Sequence, residues 1–380
     1  LLKKSKGMKI KRYSKKWNRR KRSTLLKWFV FTAACLFLLF IGYSVMGPVM
    51  DYMRGTLEPS PPMSSSDRTS HSESESDPNN SDSSDSSGDP APPAQTVEFN
   101  AKLLPQSALS SAAAITAFCE NAKREGFDAI VIMMKDQNGN IHYQSANELA
   151  VSRAAIVPGS ITAAEIHSAV NQVQMRSIAM IHTLNDNLIS TWASENTYLY
   201  QNNAGTTWYD RNPANGGRKW LNPYRTAARE YISSLAGELA DAGFADILLY
   251  SVEYPNVEMA NAGLGETSGL TMVQALNLLV SDVETAVKAK GANVINSFYT
   301  SELDSALQRR YRAAVSELKA DGFAPIFDNL TDQTDIAELI GKISAVSDIS
   351  KITPVFTGHA RDQELKQALE GMGVKTSIQQ

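Results

Sequence analysis

Cysteine is almost missing from this 380-residue chain: there are two, Cys35 and Cys119. Cys35 sits in a long apolar run and Cys119 in a helical pattern far from it, so no disulfide framework is available and a folded domain must rest on its core. No Gly-x-Gly-x-x-Gly follows the first strand-like run, which withholds support from dinucleotide binding. No Gly-x-Ser-x-Gly elbow is present, and Gly216-Gly217 lacks the surrounding pattern of a phosphate loop. The five histidines (His71, His142, His167, His182 and His359) have no short ligand spacing, so neither a metal nor a cofactor is implied. Acid is wholly absent before Asp51, whereas residues 1–27 hold thirteen Lys and Arg.

That segregation divides the chain. After residue 27 there are 24 basic residues against all 40 acidic ones, so the net charge of −3 hides a basic end and an acidic body. Residues 28–50 carry no charge and are long enough to cross a bilayer as one helix. Lys and Arg stay preferentially on the cytoplasmic side. The expectation is a cytoplasmic tail at 1–27, a single transmembrane helix at 28–50, and the remainder outside the cell membrane. A cleaved signal peptide is the rival, disfavoured by the length of the run and the lack of a small-x-small site after it. Beside a span, a basic cluster orients the protein or touches anionic lipid, so nucleic acid is not the expected partner.

Residues 51–96 read as a disordered linker. Ser64-Ser65-Ser66-Asp67 through Ser86-Ser87-Gly88 is Ser- and Asp-rich, and Pro90, Pro92 and Pro93 close it. Such a segment buries too little apolar surface to offset its chain entropy.

From 97 to 380 the pattern alternates. Strand-like runs fall at 97–104, 127–136, 176–184, 245–255, 292–300, 323–330, 352–360 and 373–379. Helical patterns fall at 107–124, 162–174, 224–242, 271–290, 304–320, 333–346 and 361–371, with Gly126, Gly243, Gly291 and Gly322 where helix gives way to strand. Eight strands with intervening helices predict an α/β fold, a (β/α)8 TIM-barrel-like domain.

In such barrels reactive groups stand at the C-terminal ends of the strands. That rule selects Lys135 and Asp136, His182 with Asn185 and Asp186, Tyr250 and Glu253, Tyr299, Asp328 and His359. The loop from Asp186 to Pro223 gathers Trp192, Trp208, Trp220, Tyr198, Tyr200 and Tyr209. Two readings stand for it: an aromatic platform on which sugar rings stack, or a satellite core that pins the loop.

These residues resemble a family. Val131-Ile132-x-x-Lys135-Asp136-x-x-Gly139-x-Ile141-x-Tyr143, Trp208-Tyr209-Asp210, Trp220-Leu221-Asn222-Pro223-Tyr224 and a strand ending in Tyr254-Pro255 are similar to the bacterial "putative glycosyl hydrolase" domain of unknown function. The resemblance spans roughly 98–380 and implies a glycoside-hydrolase-like barrel. This chain departs from the family at three places: Tyr250 stands for an Asp, Glu253 for an Arg, and Met133 for a carboxylate. The same strand also resembles that of the chitinase-like barrels of glycoside hydrolase family 18. Asp246 and Glu253 match its outer acids, and Leu249 and Ser251 replace the inner two. In that family the Glu is the general acid and the substrate's N-acetyl group assists.

Glycoside hydrolysis commonly needs two carboxylates. The candidate catalytic residues are therefore Glu253 with Asp136 or Asp328. The candidate substrate contacts are Lys135, Trp208, Tyr209, Trp220, Tyr250, Tyr299 and His359. The expected activity is processing of cell-wall or environmental polysaccharide, with polysaccharide or peptidoglycan as partner. The alternative is an inactive barrel that binds glycan or a wall component, since two expected acids are missing.

Overall fold

A computed structural model describes residues 98–191 and 195–380. The basic tail, the apolar run at 28–50, the linker at 51–96 and Trp192 lie outside the described residues. Among the described residues no helix is long and apolar enough to cross a membrane.

Eight parallel strands close into a barrel: β1 (Phe99–Leu103), β2 (Ala129–Lys135), β3 (Arg176–His182), β4 (Asp246–Tyr250), β5 (Asn293–Tyr299), β6 (Gly322–Ile326), β7 (Val355–Phe356) and β8 (Thr376–Gln379). Neighbours in sequence are neighbours in the ring, and β8 closes it by pairing Phe99 with Thr376 on β1. The strands read as apolar runs because both faces are covered. One face of each fills the barrel interior: Ala101, Val131, Ile178, Met180, Leu248, Ile295, Ala324, Val355 and Ile378 form one cluster. The other face packs on the helices, with Ile130, Ile132, Ile247 and Leu249 in a second, larger cluster. Each fully buried Leu or Ile contributes roughly 1.5–3 kcal/mol.

The outer layer holds α1 (Ala112–Arg124), α2 (Glu148–Ser152), α3 (Ala163–Asn171), α4 (Thr226–Asp241), α5 (Met272–Lys288), α6 (Ile336–Ser344) and α7 (Asp362–Gly371). Thr162 and Thr271 begin α3 and α5 with full capping boxes. Gly126, Gly243 and Gly291 end helices with positive φ as expected, whereas Gly322 opens β6.

One expected helix is not there. Residues 304–320 form turns and a single 3-10 turn at Val315–Glu317. Tertiary contacts override the helical periodicity. Tyr254 N donates to Arg310 O at 2.7 Å, and Arg312 donates to Val257 O at 2.8 Å. Asn277 of α5 bonds both Glu317 O and Lys319 N. Tyr311 and Val315 are buried as anchors. Residues 303–321 thus form a strap tied to the loop that leaves β4.

Candidate active site

The floor of the barrel mouth is set by the alternation of the strands. Met133, Tyr250 and Tyr299 pack on the interior cluster, at the C-terminal ends of β2, β4 and β5. The Tyr250 hydroxyl accepts from Gln380 Nε2 at 2.6 Å, and the His182 ring stands edge-on to Tyr250 at 5.3 Å. Two positions where the resembled family carries acids are therefore filled by a thioether and a phenol facing the barrel axis.

After Tyr250 the chain turns sharply. Ser251 has φ +57°, a left-handed conformation that costs an L-residue roughly 1–2 kcal/mol. The end of β3 holds it there. Thr183 Oγ1 donates to Tyr250 O and Ser251 O, Leu184 N donates to Ser251 O, and His182 Nδ1 lies 2.9 Å from Ser251 Oγ. Burial, aided by the Lys135 charge, lowers the His182 pKa to about 4, so its ring is neutral near pH 7.

This turn delivers Glu253 to the rim, 4 % exposed. Its Oε2 accepts from Arg310 Nη1 at 2.7 Å. The same guanidinium lies 3.4 Å from Glu302 Oε1 and 4.2 Å from the centre of the Tyr299 ring. Burial pushes the Glu253 carboxyl up to about 7, although Arg310 pulls the other way; the Glu302 and Asp328 charges add to the rise. Asp328 follows β6, is exposed, and accepts from Ser301 N at 3.0 Å and Ser301 Oγ at 2.7 Å. Glu253, Glu302 and Asp328 thus share one side of the mouth with Arg310 and Tyr299.

Asp136 is placed differently. Its carboxylate closes its own turn, accepting from Asn138 N, Asn140 N and Asn140 Nδ2, with His142 Nε2 at 3.5 Å. Burial would raise its pKa, but the hydrogen bonds from His142, Asn140 and Asn138 outweigh it and hold the carboxyl well below the usual range. An acid so fixed in its ionised form is not a proton donor.

Lys135 is not at the mouth. The register slips between Met133 and Lys135, and the side chain passes outward over Tyr231 of α4. There it is fully buried, 2.9 Å from Asp186 Oδ2, and donates to His182 O at 2.7 Å. A buried ammonium needs such a counter-ion, so Lys135 is spent on Asp186 and supports the end of β3. Gly139 leaves room for the pair: a Cβ there would stand 2.2 Å from Asp186 Oδ1.

The aromatic loop is mostly a satellite core. Trp208 is 3 % and Trp220 6 % exposed. Trp208 meets Tyr198 edge-on, and Trp220 Nε1 donates to Asp210 Oδ2 at 3.1 Å. Their faces are spent on packing, which corrects the reading of both as stacking surfaces. Tyr209 remains half-buried beneath the Lys219 ammonium, 5.1 Å away. His359 Nδ1 accepts from Arg361 N just before α7. Asp246, the other acid of the family 18 resemblance, is not at the mouth. It begins β4, at the end opposite Glu253, where it pairs with Arg176 and Asn293. Two grooves, of about 490 Å³ beside α4 and about 440 Å³ beside β8 and α7, open away from the mouth.

Sequence reasoning missed Arg310, Glu302, Thr183 and Gln380. Arg310 and Glu302 belong to a stretch whose periodicity suggested helix or helix entry, and Gln380 reaches Tyr250 only because the barrel closes.

The closed (β/α)8 barrel thus carries a carboxylate cluster at the C-terminal mouth, where this fold places reactive groups. The family described as "Putative glycosyl hydrolase domain" matches residues 103–320, and this chain belongs to it. The glycoside hydrolase domain of PgaB (BpsB) from Bordetella bronchiseptica superposes with a TM-score of 0.52 at 11% identity, covering 75% of this chain and 94% of that one. A hypothetical protein from Ruminiclostridium thermocellum gives 0.44 at 19% identity, covering 51% and 95%. A family 20 exo-β-N-acetylglucosaminidase from Vibrio harveyi gives 0.45 at 9% identity, covering 68% and 41%. No curated protein matches the chain.

Proposed function

We propose that this barrel is an outward-facing carbohydrate-processing domain, held at the cell membrane through residues 28–50, whose general acid is Glu253. The observation that carries the reading is Glu253 itself, a buried carboxyl at the C-terminal rim of β4 beside two further acids. Below pH 7 it holds a proton it can give to a glycosidic oxygen as the C–O bond breaks. Asp328, the exposed acid after β6, serves as the second carboxylate, either attacking the anomeric carbon or activating water. Tyr299 supplies an aromatic face at the floor. The substrate class is neutral cell-wall or environmental polysaccharide, since the carboxylates of this mouth outnumber Arg310.

The test is release of reducing ends from panels of peptidoglycan, chitin and α- and β-glucans. Glu253→Gln keeps the shape and cannot donate the proton; activity should fall by several orders of magnitude with the fold intact. Full activity in that variant would move the acid elsewhere, to Asp328 first. A second reading is favoured by Met133 and Tyr250 at the floor, where the resembled family carries acids: a barrel that binds glycan without cutting it. Binding to one panel member with no release from any would establish it.

A further inference from the structure

Arg310 reaches the mouth from an unusual place. Between β5 and β6 a (β/α)8 barrel ordinarily has a helix on its outer wall; here residues 303–321 run as the strap. It is fastened to the loop after β4 by Arg310 O, which accepts from Tyr254 N, and by the Arg312 side chain, which donates to Pro255 O and Val257 O. Beside Arg309, which pairs with exposed Glu258, and Arg312, which binds carbonyls, Arg310 turns inward. Its guanidinium is held on three sides: Glu253 at 2.7 Å, Glu302 at 3.4 Å and the Tyr299 ring at 4.2 Å. Its Nε is buried without a hydrogen-bond partner, so the group is steered by charge and stacking and not by saturated hydrogen bonding.

The charged and titratable groups around Glu253 come from three elements. Arg310 and Tyr311 belong to the strap, Tyr299 and Glu302 to the end of β5 and the turn after it, and Asp328 to the loop after β6. Only Arg310 among them is a cation. Glu302 and Asp328 both make an ionised Glu253 less favourable, and Glu302 competes with Glu253 for the one guanidinium.

We propose that Arg310 is a positioning residue that decides when Glu253 carries its proton, and that the strap in place of the barrel helix is what brings it there. The proposal rests on Glu253 as the acid of the site, but its test does not need turnover. In the full chain, glutamate labelled with ¹³C at the carboxyl gives a carbonyl infrared band for protonated Glu253, assigned by its loss in Glu253→Gln. This band is followed against pH. In wild type it should disappear around pH 7. Arg310→Gln should shift the midpoint upward by at least one pH unit, Arg310→Lys should restore most of the difference, and Glu302→Gln should shift it downward by freeing Arg310 for Glu253.

An unmoved midpoint in folded Arg310→Gln, or a downward one, would overturn the proposal. So would an unmoved midpoint in Glu302→Gln, which decides the matter if Arg310→Gln does not fold. Where hydrolysis is measurable, the alkaline limb of kcat/KM should move with the band; a loss of kcat with no change of limb would mean Arg310 is only structural. If the band shifts as expected while wild type cuts no glycan, the hydrolase reading fails and the Arg310 assignment stands.

Discussion

Lys135→Met should cost this fold about 3–5 kcal/mol, the range for leaving one partner of a buried ion pair uncompensated. Both side chains of the Lys135–Asp186 pair are fully buried, with Nζ 2.9 Å from Oδ2. Asp186 Oδ1 keeps two amide donors, Leu188 N at 3.0 Å and Ile189 N at 2.8 Å, which brings the cost toward the lower end. Oδ2 has nothing to replace the ammonium, and His182 O loses its donor as well. Asp186→Asn should cost a similar amount by stranding the lysine. The double variant should cost far less than the two together, a coupling of about 2 kcal/mol or more. Urea denaturation followed by tryptophan fluorescence and far-UV circular dichroism measures all three. Strict additivity, or a Lys135→Met variant within about 1 kcal/mol of wild type, would refute the reasoning. A stable Lys135→Met that has lost glycan affinity would return Lys135 to the substrate contacts.

Two further outcomes follow from the geometry. Glu253 titrates near 7 in the fold against an ordinary 4.5, so its contribution to stability is complete below pH ~4.5 and is lost as pH rises through about 7, a change of ~3 kcal/mol. Glu253→Gln should flatten that part of a stability-versus-pH curve, and an unchanged slope would place the carboxyl in contact with water. Trp208→Ala should lower stability by about 3–5 kcal/mol, as large-to-small core changes do, because the indole is packed against Tyr198; calorimetry on glycan fragments should find the folded variant's affinity little changed, and a stable variant with lost affinity would restore the platform.

The barrel was legible because a parallel strand covered on both faces leaves an unbroken apolar run, as in Ala129-Ile130-Val131-Ile132. Helix stops were legible where glycine takes positive φ. The strap was not, because the spacing of Tyr311, Val315 and Leu318 satisfies a helix as well as it satisfies three anchors of an irregular segment. Glu253 and Asp328 were visible from their strand-end positions, whereas Arg310 depends on how a misread segment folds back. The displacement of Lys135 comes from a one-residue slip in the β2–β3 register, and nothing in the residue order marks it. Trp208 and Trp220 show the limit of composition: an aromatic-rich loop looks the same whether its rings face sugar or each other.

A barrel helix detaches as a unit, since its apolar stripe leaves the sheet all at once. The strap is held by separate fasteners, among them Tyr254 N to Arg310 O and the Arg312 bonds to Pro255 and Val257. Local opening of such a segment requires less free energy than unfolding the barrel. When it lifts, Arg310 leaves Glu253 and water reaches the carboxyl, so the ion pair that lowers its proton affinity and the burial that raises it are lost together. Amide exchange at Arg310 and Tyr311 faster than in the barrel strands would mark 303–321 as the segment whose loosening undoes the Glu253–Arg310 pair while the barrel stays closed.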